Sequence, residues 1–462
     1  MRWIGILKGQ RILLLSKKKR RLSAVQIIAL LYFISIVIST GLLAIPFFHK
    51  PGVHLSFTDV LFTAVSAISV TGLTVVNTAE TFNVAGTFVL VLIFQIGGIG
   101  IMTMGTFLWI LLGRKIGLAE RQWIMIDQNR PTLSGLVSLM RSVLGLAILI
   151  EAIGTILLGS YFLVAGYSQT WYEAFYVGFF TSVSAFTNSG FDIFGDSLYR
   201  FSDDYIVQTI IMILIVLGAV GFPVLIEVQA YLAQRHLKER FRFSLYTKLT
   251  TSTFLGLMVA GACLFYIFER NGILAGQSWH ASFFSSLFYS ITVRSCGFST
   301  MDISGLHDPT LLLLSVLMFI GASPSSVGGG IRTTTFIVII LAVIAFMRGR
   351  MEVFVFRREL FREDVMKAFV VFFVGISLVT YSVLGLMVLE RFTFMQILFE
   401  VCSAFGTTGI SMGITSELST ASKYILMFLM FVGRIGIVPF LYLLKRENRL
   451  GYRYPKEKMI IG

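Results

Sequence analysis

The chain has 462 residues, 56% of them hydrophobic and only 13% charged, with a formal net charge of +14. A soluble protein of this size needs far more charge to cover its surface, which excludes a large soluble core and assigns nearly every residue to a membrane part or its short loops. The basic excess does not point to nucleic acid, because it is segregated along the chain.

The N-terminal tract 1–21 is basic and ends in Lys17-Lys18-Lys19-Arg20-Arg21. The apolar run 22–48 is too long for a signal-peptide core and has no small-residue cleavage site, so it reads as a first spanning helix. The run 57–68 is too short to cross a bilayer, and 85–112 spans back. The same order returns at 137–164, 171–186 and 205–232, then at 249–268, 279–293 and a long segment 311–346. It returns last at 365–389, 392–405 and 423–444. Each unit reads as outer helix, short re-entrant helix, glycine loop and inner helix. The expected fold is an all-α polytopic membrane protein of four pseudo-symmetric repeats, 1–112, 113–232, 233–346 and 347–462, around one central pore.

The tracts 1–21, 113–141, 233–248, 347–367 and 445–462 hold 30 of the 38 Lys and Arg residues. The opposite loops carry mostly acids, among them Asp192, Asp196, Asp203, Asp204, Asp302 and Asp308. That asymmetry predicts both termini on the cytoplasmic side, with the basic tracts against anionic headgroups of the bilayer. Cys263, Cys296 and Cys402 are far apart and apolar in context, which gives no disulfide frame or zinc site. His49, His54, His236, His280 and His307 are scattered near loops, so no nucleophile–base pairing suggests an enzyme. No helix has arginines at every third position, which argues against a voltage sensor.

A glycine follows each short helix. The copies are Ser69-Val70-Thr71-Gly72-Leu73, Thr187-Asn188-Ser189-Gly190-Phe191, Arg294-Ser295-Cys296-Gly297-Phe298 and Gly406-Thr407-Thr408-Gly409-Ile410. Their glycines lie 118, 107 and 112 residues apart. Inside a membrane, a glycine-centred loop after a short helix turns backbone carbonyls toward a pore, where they replace an ion's water shell. Non-helical backbone at that depth must be buried or line a water-filled path, and four such dips converge on one axis. Short-helix C-termini pointing inward add negative dipole ends that favour a cation. One glycine per copy, rather than the two of a Thr-Val-Gly-Tyr-Gly filter, implies fewer coordination sites and weaker discrimination of potassium from sodium. The other glycine groups, Gly97-Gly98-Ile99-Gly100 and Gly218 with Gly221-Phe222-Pro223, read as small-residue contacts between helices.

With these four motifs in register, the whole chain resembles a membrane subunit of the Trk/Ktr/HKT superfamily of potassium transporters, most closely a bacterial Ktr-type subunit. Cys296 departs from the small residue, such as alanine, common at its position in that family. The resemblance implies potassium as the transported ion, held at Val70, Asn188, Ser295 and Thr407, in a cell membrane, with no cofactor in the chain itself. It also implies a homodimer and a separate cytoplasmic ring of nucleotide-binding (RCK-type) subunits that bind ATP and ADP. The tail 445–462 and the 233–248 loop are the expected contacts for that ring. The same fold carrying sodium or ammonium is the alternative.

The third inner segment is interrupted by Gly321-Ala322-Ser323-Pro324, Gly328-Gly329-Gly330 and Arg332. Proline removes a donor and consecutive glycines melt a helix, so 321–335 is expected to be irregular at membrane depth. It has no Gly-Lys-Ser/Thr ending and no preceding soluble strand, as a phosphate-binding loop requires. A passive kink and a mobile constriction both fit, and the resemblance implies the second, an intramembrane gate. Arg434 lies within the fourth inner helix. It reads either as a partner for a buried acid (Glu151, Glu227 or Glu400) or as a charge barrier beside the gate, the role the resemblance implies. Arg294, just before the third loop, reads as a structural donor to nearby carbonyls or acids, or else as a charge that tunes the ion's field.

Overall fold

The computed structural model describes residues 24–101, 103–105, 117, 121–122, 125, 135–234, 241–444, 455, 457 and 459–460. The tract 1–21, most of 106–134 and nearly all of the tail expected to contact a partner lie outside the described residues.

Four outer helices, Ala24–Leu43, Leu136–Val164, Leu245–Glu269 and Arg362–Leu389, contain runs long and apolar enough to cross a bilayer. Each packs along the short helix that follows it: Phe57–Ser69, Trp171–Phe186, Trp279–Thr292 and Phe394–Gly406. The short helices begin where the sequence offers caps. Ser56 and Ser278 accept from the amides of Asp59 and Ala281, and Thr393 forms a capping box with Gln396. Their C-terminal halves are buried, and each ends near a residue with left-handed backbone: Val70, Asn188, Ser295 and Thr407.

The inner helices close the circle. The first, Val84–Ile99, packs on the second short helix, and Tyr205–Ala219 packs on the third. Asp308–Ile320 packs on the fourth, and Thr420–Ile435 returns to the first. Glycine makes these approaches possible. A side-chain carbon at Gly97, Gly218 or Gly433 would collide with the carbonyl oxygen of Ile68, Phe186 or Phe405, the residue four before each loop glycine. In the third repeat the matching position is Met318, whose own carbonyl abuts Gly406. These contacts are the small-residue packing expected for Gly97 and Gly218.

The structure corrects one expectation. All four inner segments are broken rather than the third alone, each at a glycine with positive φ: Gly100 (99°), Gly221 (101°), Gly321 (57°) and Gly436 (92°). At the second and fourth, the chain bends by 103° and 104° into Phe222–Gln234 and the helix from Ile437. The expected continuous spans 205–232 and 423–444 are therefore each two helices. The cause is conformational: a left-handed residue stops the hydrogen-bond ladder, and only glycine adopts that state without strain. The third break is the long one, but it is irregular over 321–332 and not to 335 as expected: past Pro324 and Gly328-Gly329-Gly330 nothing interrupts the ladder, and Thr333–Thr335 open the helix Thr333–Met347. Past it, Phe354–Val355 and Arg358–Glu359 pair as a small antiparallel hairpin that was not expected.

Candidate functional site

The four loop glycines meet in a closed ring. A side-chain carbon at Gly72 would strike the carbonyl oxygen of Ser189, and one at Gly190 that of Cys296. One at Gly297 would strike that of Thr408, and one at Gly409 that of Thr71. Each loop is thus pressed against the next, and the fourth returns to the first. The glycines have φ of 86°, 67°, 95° and 89°. Two residues earlier, Val70, Asn188, Ser295 and Thr407 have φ of 56°, 55°, 88° and 49°. Left-handed residues at alternate positions turn successive carbonyls toward one side. For β-branched Val70 and Thr407 that conformation is costly and has to be imposed by the surroundings.

Side chains of the short helices brace the loops. Ser66 Oγ accepts from Gly72 N, and Ser403 Oγ from Gly409 N, each at 3.1 Å. Ser184 Oγ donates to Phe191 O at 2.7 Å, and Thr292 Oγ1 to Phe298 O at 2.8 Å. In the loop beyond the second short helix, Asp192 accepts from the amides of Phe194 and Gly195 at 2.9 and 2.7 Å. Burial pushes its carboxyl above the ordinary range, against the pull of those two amides. Asn188 is fully buried, and neither polar atom of its side chain has a partner among the described residues.

The irregular stretch 321–332 lies directly against these loops. Gly329 N donates to Ser295 Oγ at 3.0 Å, and Ser295 Oγ in turn reaches Gly406 O at 3.0 Å and Thr407 O at 3.2 Å. The stretch also fills the break in the second inner segment: Ser323 N donates to Ala219 O at 3.1 Å, and Phe222 N to Ser325 O at 2.9 Å. Two arginines hold it. Arg332 donates to Ser323 O at 3.3 Å and to Gly328 O. Arg434, 6% exposed, donates to Val327 O, Gly97 O and Gly98 O. Residues of all four repeats therefore touch this one segment or the arginine that pins it. A cavity of about 90 Å³ adjoins it, lined by Gly98, Phe222, Ser325, Arg332 and Arg434 among others.

Among the described residues, Arg434 has no carboxylate partner. Glu151 pairs with Gln95, Glu227 with Ser244 N and Glu400 with Ser411 and Thr415. Arg294 is fully buried, donates to Phe254 O at 2.9 Å and stacks 3.9 Å over the Phe254 ring, as a structural donor does. Leu73, Phe191, Phe298 and Ile410 follow the ring glycines as buried apolar side chains. Pro324 offers its carbonyl to Tyr246 Oη at 2.6 Å, a contact across 78 residues that spacing does not reveal. Sequence reasoning also missed Gly100, Gly221 and Gly436 as breaks. Their signal was a recurrence 28, 31 and 27 residues after the loop glycine.

Residues 8–448 match the family model described as TrkH, cation transport protein. The chain belongs to this family. The Ktr system potassium uptake protein D of Bacillus subtilis is 52% identical over 442 residues, covering 96% of this chain and 98% of the relative. The potassium/sodium uptake protein NtpJ of Enterococcus hirae is 34% identical over 452 residues, covering 96% and 98%. The crystal structure of the potassium transporter TrkH from Vibrio parahaemolyticus superposes with a TM-score of 0.72 at 19% identity, covering 93% of this chain and 86% of that one. At that identity the likeness supports the fold: an all-α polytopic membrane protein built of pseudo-repeats.

Proposed function

We propose that this chain takes up potassium across the cell membrane through the glycine-loop ring, gated by the stretch 321–332. One observation carries the reading: four loops close a ring through glycine-to-carbonyl contacts that run from each repeat to the next. An ion entering the ring exchanges its hydration shell for carbonyls near Val70, Asn188, Ser295 and Thr407. The unpartnered amide of Asn188 suits a site where an ion or its water completes the coordination. The four repeats are taken as 1–112, 113–232, 233–346 and 347–462. The potassium uptake named for the Bacillus relative supports the choice of ion.

The gate reading rests on contact and charge. The stretch 321–332 lies against Ser295 and Thr407, and Arg332 and Arg434 put two cationic groups beside it. A cation leaving the ring meets that barrier until the segment moves. We further assign both termini to the cytoplasm, a homodimeric state, and a separate nucleotide-binding ring whose ATP- and ADP-bound forms engage the cytoplasmic ends differently. Uptake of rubidium-86 by the purified chain in liposomes, with potassium and sodium gradients varied separately, tests the core of this. Uptake blocked by excess potassium and reduced far less by sodium is expected. Uptake displaced equally by sodium would replace potassium with an unselective or sodium-carrying function.

A further inference from the structure

A buried carboxyl stands behind the fourth glycine loop. Glu400 lies in the short helix Phe394–Gly406, nine residues before Gly409, and is fully buried. The positions nine before Gly72, Gly190 and Gly297 hold Thr63, Thr181 and Phe288, so the other repeats place no ionisable group there.

Its partners all belong to the segment just beyond Gly409. Ser411 Oγ donates to Oε1, Met412 N donates to the same oxygen at 3.3 Å, and Thr415 Oγ1 donates to Oε2 at 3.1 Å. Ser411 Oγ also accepts from Gly413 N and lies 2.9 Å from Thr415 Oγ1. One carboxyl thereby gathers 411–415 into a knot, and each of its partners is a group able to donate. No salt bridge reaches it from Lys or Arg among the described residues. An ionisable group kept inside a membrane protein without a counter-charge is expensive, and such groups mark function. The third loop has an uncharged counterpart: Tyr289 Oη lies 2.7 Å from Ser299 Oγ and accepts from the amides of Thr300 and Met301 at 3.2 and 3.0 Å.

We propose that Glu400 is a specificity-determining positioning residue: its carboxyl ties down 411–415 and thereby fixes the spacing of the Thr407 and Thr408 carbonyls. This rests on the reading of the ring as an ion filter. A tethered loop does not contract around a smaller ion, so the tether contributes to discrimination as well as to affinity.

The test is rubidium-86 uptake by the full chain in liposomes, measured against rubidium concentration and against competing sodium, for Glu400→Gln, Glu400→Asp, Ser411→Ala and Gly190→Ala. Glu400→Gln is expected to raise the apparent KM for rubidium by about fivefold and to lower the rubidium-over-sodium preference, with the maximal rate largely kept. Glu400→Asp restores part of both, and Ser411→Ala shifts both in the same direction by about twofold. If Glu400→Gln and Ser411→Ala leave KM and preference unchanged and lower only protein yield or maximal rate, Glu400 is merely structural and the proposal is overturned. Should Glu400→Gln fail to fold, Ser411→Ala decides between these outcomes alone. Gly190→Ala separates the two levels: unaltered uptake in that variant sinks the filter reading and this proposal with it. Impaired uptake there, beside unchanged KM and preference in the Glu400 and Ser411 variants, sinks this proposal only.

Discussion

Gly409 and Gly436 lie 27 residues apart in the fourth repeat, and both have left-handed backbone, with φ of 89° and 92°. Their surroundings differ. A side-chain carbon at Gly409 would collide with Thr71 O of the first repeat, whereas one at Gly436 would meet only Pro439 Cδ at 3.7 Å. The loop glycine is fixed from outside, by a neighbouring repeat. The break glycine is fixed by its own dihedral angle alone. The other breaks are not all free in this way: a side-chain carbon at Gly221 would meet Pro324 O of the third repeat at 2.9 Å, and one at Gly321 would strike Gly329 O. Two breaks turn sharply into another helix, and the third accommodates the 321–332 stretch. The ring glycines are met by a neighbouring repeat in all four copies, and Gly436 is not.

The largest expected effect comes from breaking the ring. Gly72→Ala, Gly190→Ala, Gly297→Ala or Gly409→Ala combines a disfavoured φ with a collision against backbone that cannot rotate away. Each is expected to lower rubidium uptake in a potassium-uptake-deficient strain by at least about tenfold, on a cost of a few kcal/mol. Full uptake in all four variants would mean that the ring is not the ion path.

The next effect acts at the pinned stretch. Arg434→Ala releases the carbonyls of Val327, Gly97 and Gly98. Charge-assisted bonds contribute about 1.5–3 kcal/mol each, so resting flux in liposomes without any partner protein is expected to rise by about tenfold or more. A smaller shift is expected from Ser295→Ala, which removes the acceptor for Gly329 N and the donor to Gly406 O and Thr407 O. Losing this neutral link is expected to raise resting flux by about fivefold, for roughly 1 kcal/mol. Resting flux unchanged in both variants would detach the 321–332 stretch from gating and leave it as a passive kink.

Much of this architecture is legible in the residues alone. The four loops stand out by composition and spacing, because membrane depth restricts where a glycine can follow a short apolar run. The third break is equally plain, since Pro324 and Gly328-Gly329-Gly330 interrupt the helix in sequence. Gly100, Gly221 and Gly436 do not read as breaks, because a single glycine in an apolar run looks like a packing site. Gly97, Gly218 and Gly433, each three residues earlier, really are packing sites. Only the dihedral angle separates the two kinds. The partners of Arg434 are also beyond reach: Gly97 O is 337 residues away, and backbone carbonyls leave no trace in side-chain identity.

The smallest effect sharpens the contrast between those neighbouring glycines. Gly433→Ala would drive a methyl into Phe405 O, the carbonyl end of the fourth short helix, with little room to yield. Gly436→Ala meets no backbone within 4 Å and adds only the strain of an alanine at φ 92° and ψ 152°, on the order of 1–3 kcal/mol. In detergent, the unfolding midpoint is expected to fall by a few degrees for Gly433→Ala and by a degree or two for Gly436→Ala. Rubidium affinity should weaken only in Gly433→Ala, because Gly433 supports the short helix that leads into Thr407 and Gly409, while Gly436 lies beyond it. Equal losses of stability and affinity in the two variants would show that the break is as tightly held as the packing contact. The contrast between ring glycines held by a neighbouring repeat and a Gly436 held only by its own dihedral angle would then fail.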